Sequence, residues 1–280
     1  MNKAKLIVLI VAVAVLASCG TTTTVPITGR KQHMMVSDEK VLSLSNQQYA
    51  EYMKTAKPST NVANTNMVKR VGQNLANAVV AYLNANGLSS EVANYKWEFN
   101  LVQNNQVNAF CMPGGKIVVY EGLMKMVSSE DELAVVIGHE VAHAVAKHSN
   151  ERMSQQILAQ YGSNVLNSAL ANKSAAVQSV AGQVFGLGAQ YGVMLPFSRK
   201  QENEADYMGM VLMSMAGYNP DMALTFWQKM SAGGGASVPE LLSTHPSDET
   251  RINNIKKNLP KIKQTYYKKS SSSSATFHIG

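Results

Sequence analysis

The sequence predicts an α+β protein that is mainly helical and has one small β-sheet. Apolar residues recur at helical spacing over long stretches, for example Val68, Val71, Leu75, Val79 and Leu83. A shorter stretch, YKWEFNLV, alternates instead and is rich in aromatic and β-branched residues, as strands are. With 280 residues, 45% of them hydrophobic, the chain can bury a substantial core.

The first residues have the three-part layout of a secretory signal. Two lysines precede an uncharged apolar run from Leu6 to Ala17, which is short for a membrane span. The run ends in LASC, which resembles the lipobox of bacterial lipoproteins, in which the cysteine is lipidated. We therefore predict a lipoprotein signal peptide over residues 1–18, lipidation of Cys19, and a lipid-attached tether over residues 19–36. An ordinary signal peptide and an uncleaved anchor are the alternatives.

Two helices and three strands are predicted next. Residues 38–57 and 64–86 have helical spacing, and Gly87 ends the second helix. After the alternating stretch, NAFCMPGGKIVVY indicates two short strands joined by a Pro-Gly-Gly turn.

A helix with polar residues in an apolar run follows the strands. Ser129 and Glu132 form a capping-box pair before LAVVIGHEVAHAVAKH, and we expect this helix to continue past Met153. Residues 161–197 are rich in Gly, Ala, Ser, Gln and Val. Their glutamines and glycines argue against a membrane span and favour a closely packed helix or a mobile segment over a cleft.

The rest of the chain is predicted to be helical until its tail. Ser198 and Gln201 form a second capping box for a helix that ends at Gly217. A short helix follows YNPD, SAGGGAS is a flexible loop, and THPSDETRINNIKKNL begins the last helix. Residues 261–280 are predicted to be a basic, serine-rich, disordered tail, so the folded domain is placed at residues 37–260.

The formal charge of +7 is concentrated near the carboxyl end, where residues 255–269 hold six lysines and no acid. This pattern favours a solvated terminal helix over attraction to an anionic membrane surface. The sequence has no motif or basic–aromatic pattern typical of nucleic-acid binding, so that class of partner is excluded. If Cys19 carries lipid, Cys111 has no disulfide partner and is predicted to be a small buried residue.

The histidines of GHEVAH predict a metal site. His139 and His143 are four apart and share one helix face, where two imidazoles can bind one Zn²⁺ ion. Glu140 lies roughly 100° round the helix and can act as a base without being a ligand. This is the HExxH arrangement. The alternative is a pair of core histidines satisfied by hydrogen bonds.

A catalytic zinc site needs a third protein ligand and one open position. The capped helix offers ENEAD, in which Glu202 and Asp206 share a face while Glu204 points elsewhere. One acid can bind the metal while the other accepts the second N–H of a ligating histidine and so fixes its tautomer.

HExxH followed about sixty residues later by ExxxD resembles the gluzincin metallopeptidases of the CAAX prenyl endoprotease and HtpX type. The resemblance is closest to their soluble envelope members, of the BepA and LoiP type. Four further blocks carry it over nearly the whole mature chain: VPITGRKQ, NAFCMPGGKIVVYEGLM, LPFSRKQENEADYMG and STHPSDETRI. It implies a zincin-like metalloprotease domain with a small β-sheet and the HExxH helix.

The resemblance also implies roles for single residues. One Zn²⁺ per chain would be held by three ligands, His139, His143 and Glu202. Glu140 would be the general base, Asp206 would support a ligand from outside, and Arg251 would orient the site. His245 would either steady the oxyanion or occupy the open position and hold the enzyme off.

A substrate-binding strand is implied as well. Asn108, Ala109 and Phe110 would lie on an edge strand that pairs with the substrate backbone.

The implied function is a zinc endopeptidase, lipid-anchored in the cell envelope of a Gram-negative-type bacterium, with its catalytic domain in the periplasm at the outer membrane. Its substrates would be unfolded or misassembled envelope proteins. The chain lacks the helical-repeat domain of some relatives, so a stand-alone catalytic domain is expected. The alternatives are an envelope chaperone or assembly factor whose proteolysis is secondary, a deformylase-like hydrolase using Cys111, and a structural lipoprotein without metal.

Overall fold

The structure is a computed structural model, and it describes residues 21–161, 175–185, 197–232, 241–242, 245 and 249–267. The elements before the metal-site helix are, in chain order, β1 (Thr21–Thr24), β2 (Lys31–Met34), α1 (Asp38–Thr55), α2 (Val62–Ala85), α3 (Ser89–Val92), β3 (Glu98–Val102), β4 (Ala109–Met112), β5 (Lys116–Tyr120) and α4 (Glu121–Met124). The remaining elements are α5 (Glu130–Val145), α6 (His148–Tyr161), α7 (Ala175–Val184), α8 (Arg199–Met215), α9 (Asp221–Ala232) and α10 (Glu249–Tyr266). The expected α+β class, mainly helical with little sheet, is confirmed.

A three-stranded sheet has the strand order β3-β5-β4. Strand β3 is parallel to β5, and β4 is antiparallel to it, with Ala109 opposite Val119. The tight β4–β5 turn needs Gly114 and Gly115, which have φ of +89° and +84°. The predicted strands are therefore present, and β4 is an edge strand of this sheet.

The site depends on a close crossing of α5 and α8 at two glycines. A Cβ on Gly209 would lie 2.9 Å from the backbone nitrogen of His139, and a Cβ on Gly138 would lie 3.2 Å from the carbonyl oxygen of Gly209. The two backbones are thus nearly in contact. This crossing sets the HExxH face of α5 against the acidic face of α8.

Both predicted capping residues are in place. The side chain of Ser129 accepts from the backbone N–H of Glu132 at the start of α5. Ser198 and Gln201 form a complete capping box at the start of α8.

The HExxH helix is shorter than predicted. Instead of continuing past Met153, α5 ends at Val145, and Lys147 has a left-handed φ of 56° before α6 begins. The ammonium group of Lys147 lies 2.6 Å from Asp38 and 2.8 Å from Glu91, and these ion pairs compensate the unfavourable backbone conformation. The break turns His148 back towards His143.

The amino-terminal segment also differs from the prediction. The sequence predicts a lipid-attached tether over residues 19–36, but within it β1 and β2 form an antiparallel hairpin that packs on the domain. The side chains of Val25, Met34 and Val36 are buried, and Arg30 forms ion pairs with acidic residues of α6 and α8. The folded body therefore begins before residue 37.

The last helix passes the predicted domain boundary at residue 260. Helix α10 runs to Tyr266 with Pro260 inside it, because Ile262 is buried and Lys263 pairs with Asp221. The predicted disordered tail therefore begins with helical residues. Its remainder, most of SAGGGAS, and most of residues 161–197 lie outside the described residues. Within the described ranges, no helix is long and apolar enough to cross a membrane.

Candidate metal centre

Two crossing helices and one more residue build a cluster of metal-binding side chains. Helix α5 supplies His139 and His143, α8 supplies Glu202, and the fourth member is His245. One donor atom from each lies within 4.8 Å of all the others. Each of the four side chains is buried, at most 3% exposed.

The distances between these donor atoms match a metal's coordination sphere. Nε2 of His139 lies 3.0 Å from Nε2 of His143, 3.1 Å from Nδ1 of His245 and 3.3 Å from Oε2 of Glu202. Oε1 of Glu202 lies 3.4 Å from His143 Nε2 and 3.0 Å from His245 Nδ1. Bonds of about 2.0–2.1 Å to a tetrahedral zinc separate neighbouring ligands by about 3.3–3.4 Å.

Hydrogen bonding alone does not account for this cluster. Oε2 of Glu202 is buried and makes no hydrogen bond, and its nearest charged neighbours are Nε2 of His139 at 3.3 Å and the guanidinium of Arg251 at 3.4 Å. Three imidazoles and one carboxylate are also the donor types that zinc prefers. The residues therefore fit a divalent ion of the zinc type.

The electrostatics of the cluster favour the ligand forms of Glu202 and His143, whereas His139 must lose a proton before it can bind a metal. Burial alone would raise the pKa of Glu202, but the neighbouring His245 and His139 outweigh it and hold this pKa well below 4.5. Burial lowers the pKa of His143 well below 6.5, so this imidazole is neutral at pH 7. For His139, burial is outweighed by Glu202 and Asp206, which raise its pKa to about 9. Metal binding here therefore releases a proton.

Asp206 and Arg251 lie outside the cluster and against it. Nδ1 of His139 is 2.9 Å from Oδ1 of Asp206. Arg251 donates to both oxygens of Asp206, at 2.6 and 2.7 Å, and its guanidinium stacks over Trp227 at 3.6 Å. Because its Nδ1–H points at Asp206, the neutral form of His139 has its Nε2 lone pair directed into the cluster.

His148 and Glu204 are site residues that the sequence analysis missed. Nδ1 of His148 lies 2.8 Å from Nδ1 of His143, and Nε2 of His148 lies 3.0 Å from Oε2 of Glu204. Glu204 does point away from the metal cluster, as predicted, but it points at this outer histidine. The signal was present in the third histidine of GHEVAHAVAKH, which is His148. A straight helix would point it away from His143, so it was not counted with the site.

The comparisons with known proteins bear on this geometry. The sequence profile of peptidase family M48 matches residues 63–259, which is most of the chain. The chain belongs to this family. M48 peptidases are zinc-dependent, which agrees with the donor set described above.

Several relatives are recognisable across the M48 domain. The mitochondrial metalloendopeptidase OMA1 of Schizosaccharomyces pombe is 40% identical over 173 residues, which are 61% of this chain and 49% of that protein. Human metalloendopeptidase OMA1 is 27% identical over 248 residues, 84% of this chain and 45% of the relative. The β-barrel assembly-enhancing protease of Yersinia pestis is 31% identical over 194 residues, 68% of this chain and 38% of the relative.

These findings confirm the resemblance at the level of the family. The expected closer likeness to the envelope members is not confirmed, because the S. pombe OMA1 is more similar than the Yersinia protein. The chain spans about half of the length of these relatives, or less.

Glu140 of this M48 domain lies beside the cluster and outside it. Its Oε2 accepts from the backbone N–H of Cys111 at 3.2 Å, which anchors the carboxylate to β4. Its buried Oε1 has no hydrogen-bond partner and lies 3.3 Å from Nε2 of His245. Burial raises the pKa of Glu140 above 4.5, and the imidazoles of His245 and His139 offset only part of this. A carboxylate of raised pKa with one open oxygen is suited to proton transfer.

The predicted substrate residues lie on the edge strand or directly before it. Asn108 precedes β4, and its side chain accepts from the backbone N–H of Ala109. Phe110 is buried between Tyr52 and Tyr120 in edge-to-face contacts. Beyond Ala109, the outer edge of β4 leads directly to Cys111, whose N–H points at Glu140. The edge strand and Glu140 are therefore joined by a direct hydrogen bond.

Proposed function

We propose that this M48 domain is a zinc-dependent endopeptidase. The observation that carries the proposal is the convergence of His139, His143 and Glu202 beside a carboxylate, Glu140, that has one free buried oxygen. Zinc bound there would polarise the scissile carbonyl and make water more acidic.

The residues of the chain divide the remaining work. Glu140 takes the proton from the attacking water and delivers it to the leaving amine, which is general base and then general acid catalysis. Asp206 and Arg251 keep His139 in its ligating tautomer. The edge of β4 that does not pair with β5 would align an extended substrate by β-strand addition, with its scissile bond next to Glu140.

We also propose that the enzyme is lipid-anchored in the bacterial cell envelope and degrades unfolded or misassembled envelope proteins. The support is the LASC sequence that ends at Cys19 and the likeness to a protease named for β-barrel assembly. The matching OMA1 relatives are named mitochondrial, so the envelope location and the substrate class of this chain rest on the LASC sequence and on the β-barrel assembly-enhancing protease. Replacing Cys19 with Ser should abolish incorporation of a labelled fatty acid; undiminished labelling would contradict the anchor.

The enzymatic proposal is tested with one matched pair of variants on α5. Glu140→Gln should keep zinc at one ion per chain but lower casein cleavage about 10²–10⁴-fold, since the base is lost. Glu132→Gln makes the same chemical change at a buried glutamate that pairs with Lys229, and it should cleave at the wild-type rate. Phenanthroline should inhibit the wild type.

Two results would contradict the enzymatic proposal. Full cleavage by Glu140→Gln would remove the proposed base from the mechanism. Wild-type protein that binds zinc but cleaves no unfolded substrate would favour the chaperone alternative.

A further inference from the structure

The outer contacts of the two α5 histidines are not equivalent. His139 is oriented directly by the carboxylate of Asp206. Nδ1 of His143 has another imidazole as its partner, that of His148, at 2.8 Å. A hydrogen bond between two imidazoles places a proton on only one of the two nitrogens.

The network allows one neutral arrangement of protons that leaves His143 able to bind metal. Nε2 of His143 points into the donor cluster and must carry a lone pair, so Nδ1 carries the proton. Nδ1 of His148 must then accept, and Nε2 of His148 must carry its proton. That Nε2 lies 3.0 Å from an acceptor, Oε2 of Glu204.

Glu204 is itself held by the amino-terminal hairpin. Its Oε1 accepts from the hydroxyl of Thr28, and its Oε2 lies 2.6 Å from Nε of Arg30. The same guanidinium binds both carboxylate oxygens of Glu151, at 2.6 and 2.9 Å. Arg30, which lies on the hairpin, therefore holds Oε2 of Glu204 in position to accept from His148.

We propose that His148 and Glu204 are positioning residues that hold His143 in its zinc-binding tautomer, and that Thr28 and Arg30 of the hairpin complete this relay. The inference rests on the proposed zinc function and deepens it. The proposal also gives the hairpin a role. Thr28 and Arg30 lie in and just after its turn, and they contact Glu204, which is the partner of His148. The break at Lys147 serves the same relay, since a straight helix would carry His148 away from His143.

The test compares zinc affinity in full-length protein stripped of metal, by competition with a chromophoric chelator. His148→Ala removes the acceptor and should raise the dissociation constant for zinc about ten- to hundredfold. His148→Asn places an amide oxygen near the position of Nδ1, so it should recover most of the lost affinity. Glu204→Gln and Arg30→Met should fall between wild type and His148→Ala.

A structural role is separated from a positioning role by two further readouts. Each variant is loaded with Co²⁺, and the visible absorption bands of the bound cobalt should shift in His148→Ala but return towards wild type in His148→Asn. The melting temperature of the metal-free protein is measured in parallel. Glu132→Gln is the control, since it alters the ion pair between Glu132 of α5 and Lys229 of α9 without touching His143.

The possible outcomes are distinct. Equal zinc affinity and cobalt spectra in wild type and His148→Ala would overturn the inference alone. An affinity loss equal in His148→Ala, His148→Asn and Glu132→Gln, following the loss of melting temperature, would overturn it as well. A wild-type protein without zinc affinity would overturn the proposed function, and the inference with it.

Discussion

Nε2 of His245 lies 3.3 Å from Oε1 of Glu140, while Nδ1 of the same ring lies 3.0 Å from Oε1 of Glu202. The imidazole thus lies between the proposed base and a proposed ligand. Its main-chain oxygen is held by Arg251 at 3.2 Å, and its ring packs 5.5 Å from that of Phe197. If the scissile carbonyl and its attacking water bind next to Glu140, as proposed, this ring stands in their place.

Removal of this ring should therefore open the site. We expect His245→Ala to lower the KM for casein and to retain kcat. If the ring fills the site in nine molecules of ten, the gain in apparent affinity is about tenfold. Steady-state kinetics on zinc-loaded protein measure both constants. His33→Ala, at an exposed histidine of β2, is the control and should leave both unchanged.

The opposite kinetic result has a clear meaning. A fall in kcat of about 10²–10³ in His245→Ala, with KM unchanged, would assign the ring to oxyanion stabilisation instead of blocking.

The metal ligands could be predicted because their signals are local in sequence. Four-residue spacing on a helix places His139 beside His143, and Glu202 beside Asp206, wherever the helices lie. The caps at Ser129 and Ser198 are equally local. What joins the two faces, the glycine crossing of α5 and α8, is a tertiary contact that spacing does not reveal.

The missed features depend on partners far away in sequence. Nothing within AVAKHSNER stops a helix, and the break at Lys147 is stabilised by Asp38, 109 positions earlier. The hairpin follows the predicted lipidation site at Cys19, and its own sequence does not show which distant residues it contacts. Arg30 finds its partners at Glu151 and Glu204, which lie 121 and 174 positions along the chain.

Cys111 should not be needed for zinc. Its side chain is buried, and its Sγ contacts the carbonyl oxygen of Met112 at 3.5 Å, while its backbone N–H is the group that reaches Glu140. Burial raises the pKa of the Cys111 thiol well above 9.0, so the thiolate needed for metal binding is not formed. Cys111→Ser should keep one zinc per chain by metal analysis. Loss of zinc from this variant would restore the cysteine-ligand alternative.

Glu204 should make the stability of the metal-free protein depend on acid pH. Burial opposes ionisation, but His148, Thr28 and Arg30 outweigh it and lower the pKa of Glu204 from 4.5 to about 2. A pKa lowered on folding stabilises the native state above the unfolded value, and this stabilisation is lost as pH falls from 4.5 to about 2. At about 1.4 kcal/mol per pH unit, the contribution at pH 7 is about 3 kcal/mol.

Urea unfolding of wild type and Glu204→Gln at several pH values measures this contribution. The difference in the free energy of unfolding should be constant from pH 7 to 5.5 and should fall to less than half by pH 3. The comparison uses chelator-treated protein, so that metal release does not contribute. A difference that is independent of pH would show that the charge of Glu204 is not what stabilises the fold.

Gly209→Ala should separate α5 from α8. The added Cβ would lie 2.9 Å from the backbone nitrogen of His139, and backbone atoms cannot move aside as a flexible side chain can. We expect a loss of about 1–3 kcal/mol in the free energy of unfolding, together with weaker zinc binding, because Glu202 and the α5 histidines move apart. Gly182→Ala is the matched control: it lies in α7, its Cβ would meet no atom within 4 Å, and it should stabilise by about 0.5–1 kcal/mol. Chelator competition and urea unfolding measure the two effects separately. Unchanged zinc affinity in Gly209→Ala would mean that the close crossing stabilises the fold without setting the metal geometry.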